Sequence, residues 1–273
     1  MPYIAAQDGT QLYYKDWGDG APVVLIHGWP LNADMWESQA PFLANQGLRV
    51  ISYDRRGFGR SDQPWDGYDY DTLADDLASI MDKLDLKDAT LVGFSMGGGE
   101  VARYLGKHGS ARVARAVLIS AVTPFMLNTD DNPEGVDQSV FDGMYLGIQK
   151  DRAQFFMDFA PNFYGNALLD KKVSEGVLHW FVQLALMASP KATLDCVRAF
   201  SETDFRQDLR GIDVPLLVIH GTADKTVPID VSARRIMALT PKARLIEYDG
   251  EAHGVTATAG ERVNQDLLSF ITG

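Results

Sequence analysis

Gly93-Phe94-Ser95-Met96-Gly97 lies between an apolar run, residues 89–92, and a helix-like stretch, residues 100–108. This order predicts a strand, a sharp turn and a helix, with the serine at the turn. The flanking glycines carry no side chains that would collide where the strand and the helix meet. A serine hydroxyl is a weak nucleophile, and such a turn holds it where a base can reach it. The stretch therefore predicts Ser95 as a nucleophile and the Met96 N–H, at a helix N-terminus, as a donor to an oxyanion.

Apolar runs on both sides of this turn indicate a parallel sheet. Residues 22–26, 49–54, 113–120 and 215–219 have the continuous apolar character of buried strands, and helical spacing of apolar residues separates some of them. This alternation predicts an α/β fold, with a mostly parallel twisted sheet flanked by helices. The first strands are expected to form an antiparallel edge, because they flank a hairpin turn at Asp8-Gly9.

The segment 124–210 has a different pattern. Apolar residues recur there at helical spacing, in 140–148, 155–163 and 177–188, without a convincing strand between them. Helices inserted between two strands would cover the strand ends. We therefore expect a core of residues 1–123 and 211–273 and a helical cap of residues 124–210. The aromatic residues of this segment are candidate walls of an apolar pocket over the serine, although such spacing is also typical of core packing; the candidates are Phe125, Phe159, Phe163 and Trp180.

Possible partners for the serine follow two later strands. Asp224 comes just after one apolar strand, and His253 lies in the loop after the last one. Open parallel sheets bind ligands beyond the carboxyl ends of their strands, and serine, acid, histidine is the chain order expected for this topology. We predict that His253 is the base for Ser95 and that Asp224 orients it. Asp249 and Glu251 are the alternatives to Asp224.

The loop after the first buried strand predicts a second donor to the oxyanion. It reads His27-Gly28-Trp29-Pro30 and is expected beside the strand that carries the serine. We assign the donor to the N–H of Trp29, whose conformation Pro30 restricts. His27 is interpreted as a structural histidine that ties the loop by a ring hydrogen bond.

Two other patterns favour structural roles. The glycines of residues 55–62 are not followed by the helix that a dinucleotide-binding pattern requires, so we expect a loop in which Asp54 pairs with the neighbouring arginines. Asp75, Asp76 and Asp82 lie on the polar face of a predicted helix. We expect these aspartates to be solvated rather than to bind a metal.

Composition disfavours several classes of partner. A net charge of -12 with scattered Lys and Arg disfavours binding to nucleic acid or anionic lipid. No apolar stretch is long enough to span a bilayer, and the N-terminus lacks the pattern of a secretory signal, so a cytoplasmic protein is expected. Cys196 is the single cysteine, which leaves no pair for an intrachain disulfide or a cysteine-based metal cluster.

The chain resembles the α/β-hydrolases and, within them, the cofactor-free bacterial haloperoxidase, perhydrolase and aryl esterase group. The resemblance spans essentially the whole length and rests on residues 27–30, 54–61, 93–99 and 218–224. It implies a catalytic triad of Ser95, Asp224 and His253, an oxyanion hole formed by the N–H groups of Trp29 and Met96, and no metal or other cofactor. Members of this group are often oligomers, so we expect a homo-oligomer.

One residue departs from the family pattern. Members commonly have a bulky aromatic residue or leucine two positions after the catalytic histidine, where this chain has Val255. The departure bears on the size of the pocket.

These features together predict hydrolysis of a small or aryl carboxylic ester through an acyl-enzyme. The resemblance suggests that Pro30 accompanies perhydrolysis, in which hydrogen peroxide replaces water and the resulting peracid oxidises halide. We expect Pro30, Thr226 and Val227 to contact the substrate together with the three phenylalanines. The alternatives are a lactam or other amide hydrolase with the same triad and, from a different class, a small-molecule receptor that keeps a hydrolase fold.

Overall fold

An eight-stranded, mostly parallel sheet forms the centre of the computed structural model, which describes residues 2–273. Its strands are β1 (Tyr3–Ala5), β2 (Gln11–Trp17), β3 (Pro22–Ile26), β4 (Arg49–Tyr53), β5 (Ala89–Phe94), β6 (Val113–Ile119), β7 (Leu216–Gly221) and β8 (Arg244–Tyr248). They lie in the order β1-β2-β4-β3-β5-β6-β7-β8. β1 and β2 pair antiparallel, as do β2 and β4, and the pairs from β4 to β8 are parallel.

Helices connect the parallel strands. A short 3₁₀ helix spans Ala33–Trp36. The α-helices are α1 (Gln39–Asn45), α2 (Tyr70–Lys83), α3 (Met96–His108), α4 (Gln138–Tyr164), α5 (Glu175–Leu186), α6 (Pro190–Glu202), α7 (Arg206–Arg210), α8 (Ala233–Leu239), α9 (Val255–Thr258) and α10 (Gly260–Thr272). Across residues 2–273, none of these helices has the length and apolarity needed to cross a membrane.

The register of the sheet brings several strand ends to one edge. Ile26, the last residue of β3, pairs with Gly93, and the ends of β5 and β6 pair at Phe94 and Ile119. The last paired residues of β7 and β8 are likewise level with each other. The loops after β3, β5, β6, β7 and β8 therefore lie side by side, where an open parallel sheet binds ligands.

The predicted fold class is confirmed. β3 and β8 have the predicted bounds, and the predicted hairpin joins β1 to β2. The core strands are buried along most of their length, and β5 is buried at every position, as its apolar sequence indicates.

One expectation about charged residues is wrong, and another is confirmed only in part. Asp76 is not solvated, because α2 turns it inward and Arg56 donates two hydrogen bonds of 2.6 Å to its carboxylate. Asp54 pairs with Arg60, at 2.7 Å, but not with Arg55 or Arg56, whose guanidinium groups find other carboxylates. Arginines adjacent in sequence point in different directions here, so their partners lie on different elements.

The segment between β6 and β7 is helical. α4 covers the first two predicted helices in one run that is interrupted at Asp151, whose φ of -160° and ψ of 93° are extended. α5 was expected, whereas α6 was not, although its buried residues recur at helical spacing, Ala192, Cys196 and Phe200 among them. The division into a core and a cap at residues 124 and 210 stays a prediction.

Candidate active site

Ser95 sits alone between β5 and α3 in a strained turn. Its φ of 54° and ψ of -117° are rare for a residue with a side chain and cost about 1–3 kcal/mol. A Cβ at Gly93 would lie 2.3 Å from the carbonyl oxygen of Gly97, and a Cβ at Gly97 would lie 2.4 Å from that of Ile26. Both glycines are therefore required for the strand and the helix to approach this closely.

Ser95, His253 and Asp224 form one chain of hydrogen bonds. The Ser95 Oγ lies 2.9 Å from His253 Nε2, and His253 Nδ1 lies 2.7 Å from Asp224 Oδ2. Because the carboxylate can only accept, Nδ1 carries the hydrogen and Nε2 is left to accept the serine proton. The three side chains are buried. The structure thus brings together the three residues that the sequence predicts.

The two alternative acids are engaged elsewhere. Asp249 accepts a hydrogen bond from the hydroxyl of Thr222 at 3.2 Å, and Glu251 accepts one from Thr258 at 2.6 Å. Neither carboxylate contacts the ring of His253, so the geometry selects Asp224.

Asp224 is held as a carboxylate. Its Oδ1 accepts the N–H groups of Thr226 and Val227, at 2.9 and 2.8 Å, and its Oδ2 faces His220 as well as His253. Burial opposes ionisation, but the interaction with His253 and the polar N–H groups around the carboxylate outweigh it and hold the pKa of Asp224 well below its usual range. The acid therefore stays ionised over the pH range in which such a site operates.

The backbone and the ring of His253 are both supported. The hydroxyl of Ser120, a buried residue with a φ of 47° at the end of β6, donates to the carbonyl oxygen of His253 at 3.1 Å. The imidazole lies against the rings of Phe94 and Phe163, with centroids 5.1 and 4.9 Å away. These contacts orient the imidazole toward Ser95.

The loop after β3 passes directly beside Ser95. A Cβ at Gly28 would lie 3.0 Å from the Ser95 Cβ and 2.7 Å from the ring of Phe94, so only glycine fits there. Trp29 follows, and its indole N–H donates to the carbonyl of Thr193 at 3.0 Å. On the other side Met96 begins α3, where the first N–H groups of a helix lack intrahelical acceptors. Two backbone segments with N–H groups thus flank the serine.

His27 ties this loop, in agreement with its structural interpretation. Its Nε2 accepts the N–H of Arg55 at 3.0 Å, so Nδ1 carries the hydrogen and donates to the carbonyl of Gly28 at 2.9 Å. Complete burial, reinforced by the charge of Arg55, lowers the pKa of His27 well below its usual value. The ring is therefore neutral, and its two hydrogen bonds hold the loop in place.

A buried ion pair beneath the loop escaped the sequence analysis. Arg55 donates from Nε to Glu100 at 2.8 Å and from Nη2 to the carbonyl of His27 at 2.8 Å, while the hydroxyl of Tyr53 donates to the other oxygen of Glu100. The available signal was Glu100 itself, a charged residue one turn after Met96 on the buried face of α3. The pair connects the loop after β3 to the helix that follows Ser95.

A cavity of about 140 Å³ opens over Ser95 and His253. It is lined mainly by apolar side chains from α4, α6 and the loops around them: Trp29, Val122, Met126, Val136, Val140, Phe141, Met144, Phe159, Phe200, Lys225, Thr226, Val227 and Pro228. Lys225 is the one charged side chain in this lining, as far as residues 2–273 show.

Three of the six predicted substrate-contact residues line the cavity: Phe159, Thr226 and Val227. The other three are outside the lining. Phe163 covers His253 and Phe181 instead, Phe125 lies under the guanidinium of Arg206, and Pro30 is buried in its loop.

Val255, the departure from the family pattern, is buried at the start of α9 and does not line the cavity. In the part of the chain that the structure describes, no three His, Cys, Asp or Glu side chains are grouped as metal ligands.

Comparisons with known proteins extend over nearly the whole chain. A family model described as alpha/beta hydrolase fold matches residues 21–256. The non-heme haloperoxidase of Rhodococcus erythropolis is 48% identical over 272 residues, and the bifunctional esterase/perhydrolase of Acinetobacter calcoaceticus is 45% identical over 275, each match covering 99% of both chains. Among solved structures, a bromoperoxidase from Bacillus anthracis matches with a TM-score of 0.95 and 44% identity over 100% of both chains.

Proposed function

The chain belongs to the α/β-hydrolase family, in the group of the cofactor-free haloperoxidases, and from this we propose that it hydrolyses small carboxylic esters through an acyl-enzyme and also catalyses perhydrolysis. The observation that carries the proposal is the continuous set of hydrogen bonds from Ser95 through His253 to Asp224, at the base of an apolar cavity. This set supplies a nucleophile, a base and a fixed carboxylate in one place.

In the proposed reaction the Ser95 Oγ attacks the ester carbonyl while His253 Nε2 takes the hydroxyl proton. Asp224 steadies the imidazolium that forms, and the N–H groups of Trp29 and Met96 donate to the oxyanion. His253 then returns the proton to the departing alkoxide, which leaves as the alcohol. Loss of a single oxyanion donor in such a site lowers the rate by about 10²–10³.

The acyl-enzyme is proposed to have two acceptors. Water attacks it to give the carboxylic acid, and hydrogen peroxide attacks it to give the peracid, with His253 taking the proton of the acceptor in each case. The free peracid then transfers an oxygen atom to halide, giving hypohalite and the carboxylic acid. Halide oxidation therefore needs hydrogen peroxide as the oxidant.

Pro30 is proposed to favour the second acceptor. By restricting Trp29 it fixes the loop, whose carbonyl could accept a hydrogen bond from peroxide that water in the same position cannot make. We expect Pro30→Leu to lower the yield of peracid from acetate and hydrogen peroxide while ester hydrolysis is largely kept. An unchanged ratio of peracid formation to hydrolysis would contradict this role.

The cavity favours a small substrate. An engineered cavity of roughly 150 Å³ with apolar walls binds benzene, and the cavity over Ser95 measures about 140 Å³. It matches a short acyl chain or a single aromatic ring. Esters with acyl groups of two to four carbons, and their aryl esters, are accordingly the proposed substrates.

The decisive test is turnover of p-nitrophenyl acetate by the wild-type protein and by Ser95→Ala. We expect the substitution to lower kcat by roughly 10³-fold or more, because it removes the nucleophile. Ser201→Ala, which removes a buried hydroxyl in α6, is the matched control and should keep near-native turnover.

Three outcomes decide between this function and its rivals. Near-native turnover by Ser95→Ala would contradict the proposed nucleophile. A single burst of p-nitrophenol without further turnover in the wild-type protein would indicate a receptor instead. Faster cleavage of a lactam or anilide than of the matching ester would favour an amide hydrolase.

We also propose a homo-oligomer in the cytoplasm. Light scattering coupled to size-exclusion chromatography measures the mass directly, and a mass of one 30.1 kDa chain at micromolar concentration would contradict the oligomer.

A further inference from the structure

A second histidine contacts the acid of the triad. His220 lies near the end of β7, and its side chain is completely buried. Its Nε2 is 2.8 Å from the carbonyl oxygen of Val227 and 3.2 Å from Oδ2 of Asp224. Both neighbours are acceptors, so Nε2 carries a hydrogen, which it donates to Val227 while Asp224 Oδ2 lies beside it in electrostatic contact.

The other ring nitrogen shows that His220 is neutral. Its Nδ1 is buried and has no hydrogen-bond partner among residues 2–273. A proton there would give a buried cation with an unpaired N–H, whereas a lone pair leaves only a neutral acceptor unsatisfied. His220 therefore acts as a neutral donor through Nε2.

His220 and Val227 together enclose the carboxylate. The N–H of Val227 donates to Asp224 Oδ1 at 2.8 Å, and the carbonyl of Val227 accepts from His220. Oδ2 accepts the N–H of His253 at 2.7 Å, and the Nε2 end of His220 lies 3.2 Å from the same oxygen. The oxygen that supports the base thus faces a second polar N–H group, and that group also fixes the turn that supplies two backbone N–H groups.

We propose that His220 is a positioning residue that tunes how strongly Asp224 supports the imidazolium of His253; the inference rests on the proposed function of the triad. The positive end of an N–H dipole beside a carboxylate oxygen offsets part of the negative charge there. While the N–H of His220 lies beside Oδ2, less of that charge stabilises the protonated base. Without it, Asp224 binds the proton of His253 more tightly and its carboxylate is also less firmly oriented.

The other charged groups near this site are few and do not change in the test. Lys225 lines the cavity in front of His253, and α4 presents the ring of Phe163 to the base. On β8, Glu247 is in register with His220, but its carboxylate is taken by Arg234 of α8 at 2.7 Å. A change in the pH profile on substitution of His220 is therefore assigned to its own N–H.

The experiment compares the pH dependence of kcat/KM on p-nitrophenyl acetate for His220→Leu, His220→Gln and the wild-type protein. Leucine fills a similar volume without a donor, whereas the glutamine amide places an N–H near the position of Nε2. The acidic limb of this profile is the rise of kcat/KM with increasing pH. For His220→Leu we expect the acidic limb to move to higher pH by about half a unit or more, because His253 binds its proton more tightly. We also expect kcat at the optimum to fall about tenfold, with KM little changed. His220→Gln should lie close to the wild type in both.

The matched control is His179→Leu, since His179 is an exposed histidine of α5 and should leave the limb in place. A loss of kcat in His220→Leu with the limb at its wild-type pH, or a limb moved to lower pH, would overturn the proposal. Should His220→Leu not fold, His220→Asn replaces it, because the shorter amide stays polar but does not reach Asp224; the same shift is expected. Absence of ester turnover in the wild-type protein is instead a failure of the proposed function.

Discussion

The two sides of the cavity are held together by different interactions. The floor, formed by the loops after β3, β5, β7 and β8, is held by buried hydrogen bonds such as those of Asp224 and by the ion pair of Arg55 with Glu100 beneath it. The roof, formed by α4 and α6 with α5 packed behind α4, is held by contacts between aromatic rings, such as Phe159 with Trp29 and with Phe181. Hydrogen bonds are directional and fix individual atoms, whereas apolar contacts constrain mainly volume. The floor therefore determines the chemistry, and the roof determines which substrate fits.

The strongest way to break this division is Asp224→Asn, in the floor. The two backbone N–H groups hold an oxygen at Oδ1, so the amide NH₂ would face His253. It would donate to Nδ1 and place the ring hydrogen on Nε2, where the base cannot accept the proton of Ser95. We expect kcat to fall about 10⁴-fold for every ester, with the preference among acyl chains unchanged. A loss below tenfold, or a loss that depends on acyl length, would contradict it.

Glu100→Gln tests the floor through stability. The pair with Arg55 is almost fully buried, with exposures of 0% and 1%, so the substitution leaves a buried guanidinium without its counter-charge. We expect the free energy of unfolding in urea to fall by about 3–5 kcal/mol. The control is Glu247→Gln, which breaks a pair with Arg234 that is over one-third exposed and should change the free energy of unfolding far less, because water screens the pair. Equal costs for the two variants would show that the buried pair has no special role.

Phe159→Ala tests the roof. It removes a ring from the cavity lining, so we expect the ratio of kcat/KM for p-nitrophenyl hexanoate to that for the acetate to rise about tenfold. Phe155→Ala is the matched control, because Phe155 stacks on Phe159 in α4 with centroids 5.8 Å apart but does not line the cavity. If Phe155→Ala shifts the ratio as much, the preference comes from the packing of α4 and not from the wall.

Lys225→Gln tests the role of a charged side chain at the boundary between floor and roof. Lys225 is exposed and forms no ion pair with any residue that the structure describes. We expect kcat/KM for monomethyl glutarate to fall by about fivefold or less relative to methyl pentanoate, as for a solvent-exposed ion pair. Lys242→Gln, at an exposed position away from the cavity, should leave this ratio unchanged. No change in Lys225→Gln would show that the cation does not meet the acyl group.

The sequence predicts the floor far better than the roof. Ser95, Asp224 and His253 each follow a strand that a short apolar run in the sequence identifies. The parallel register of these strands then brings the three residues to one edge of the sheet. What it could not predict is the long-range pairing beneath them. Glu100 and Arg55 come from different elements, and the sequence around either residue does not identify the other as its partner.

The sequence predicts a helical roof, but of its three predicted phenylalanine walls only Phe159 lines the cavity. Phe159 and Phe163 are one turn apart on α4, and only the first faces the cavity. Which ring does so depends on how α4 is rotated against α6, a helix that was not predicted although its buried residues recur at helical spacing. Which residues of the roof line the cavity depends on how the helices pack against each other. The periodicity of apolar residues within one helix does not predict that packing.

The interruption of α4 at Asp151 has a consequence for how such a protein diversifies. Residues before it, including Phe141 and Met144, line the cavity, whereas the part after it carries one wall residue, Phe159, and the ring of Phe163 that shields His253. In a straight helix the residues on both sides of position 151 would rotate together. The extended residue at that position lets the parts of α4 before and after it, its first and second arms, be oriented separately. Mutations that accumulate in the first arm can thus open new substrate ranges during evolution while the shield over the base is inherited intact.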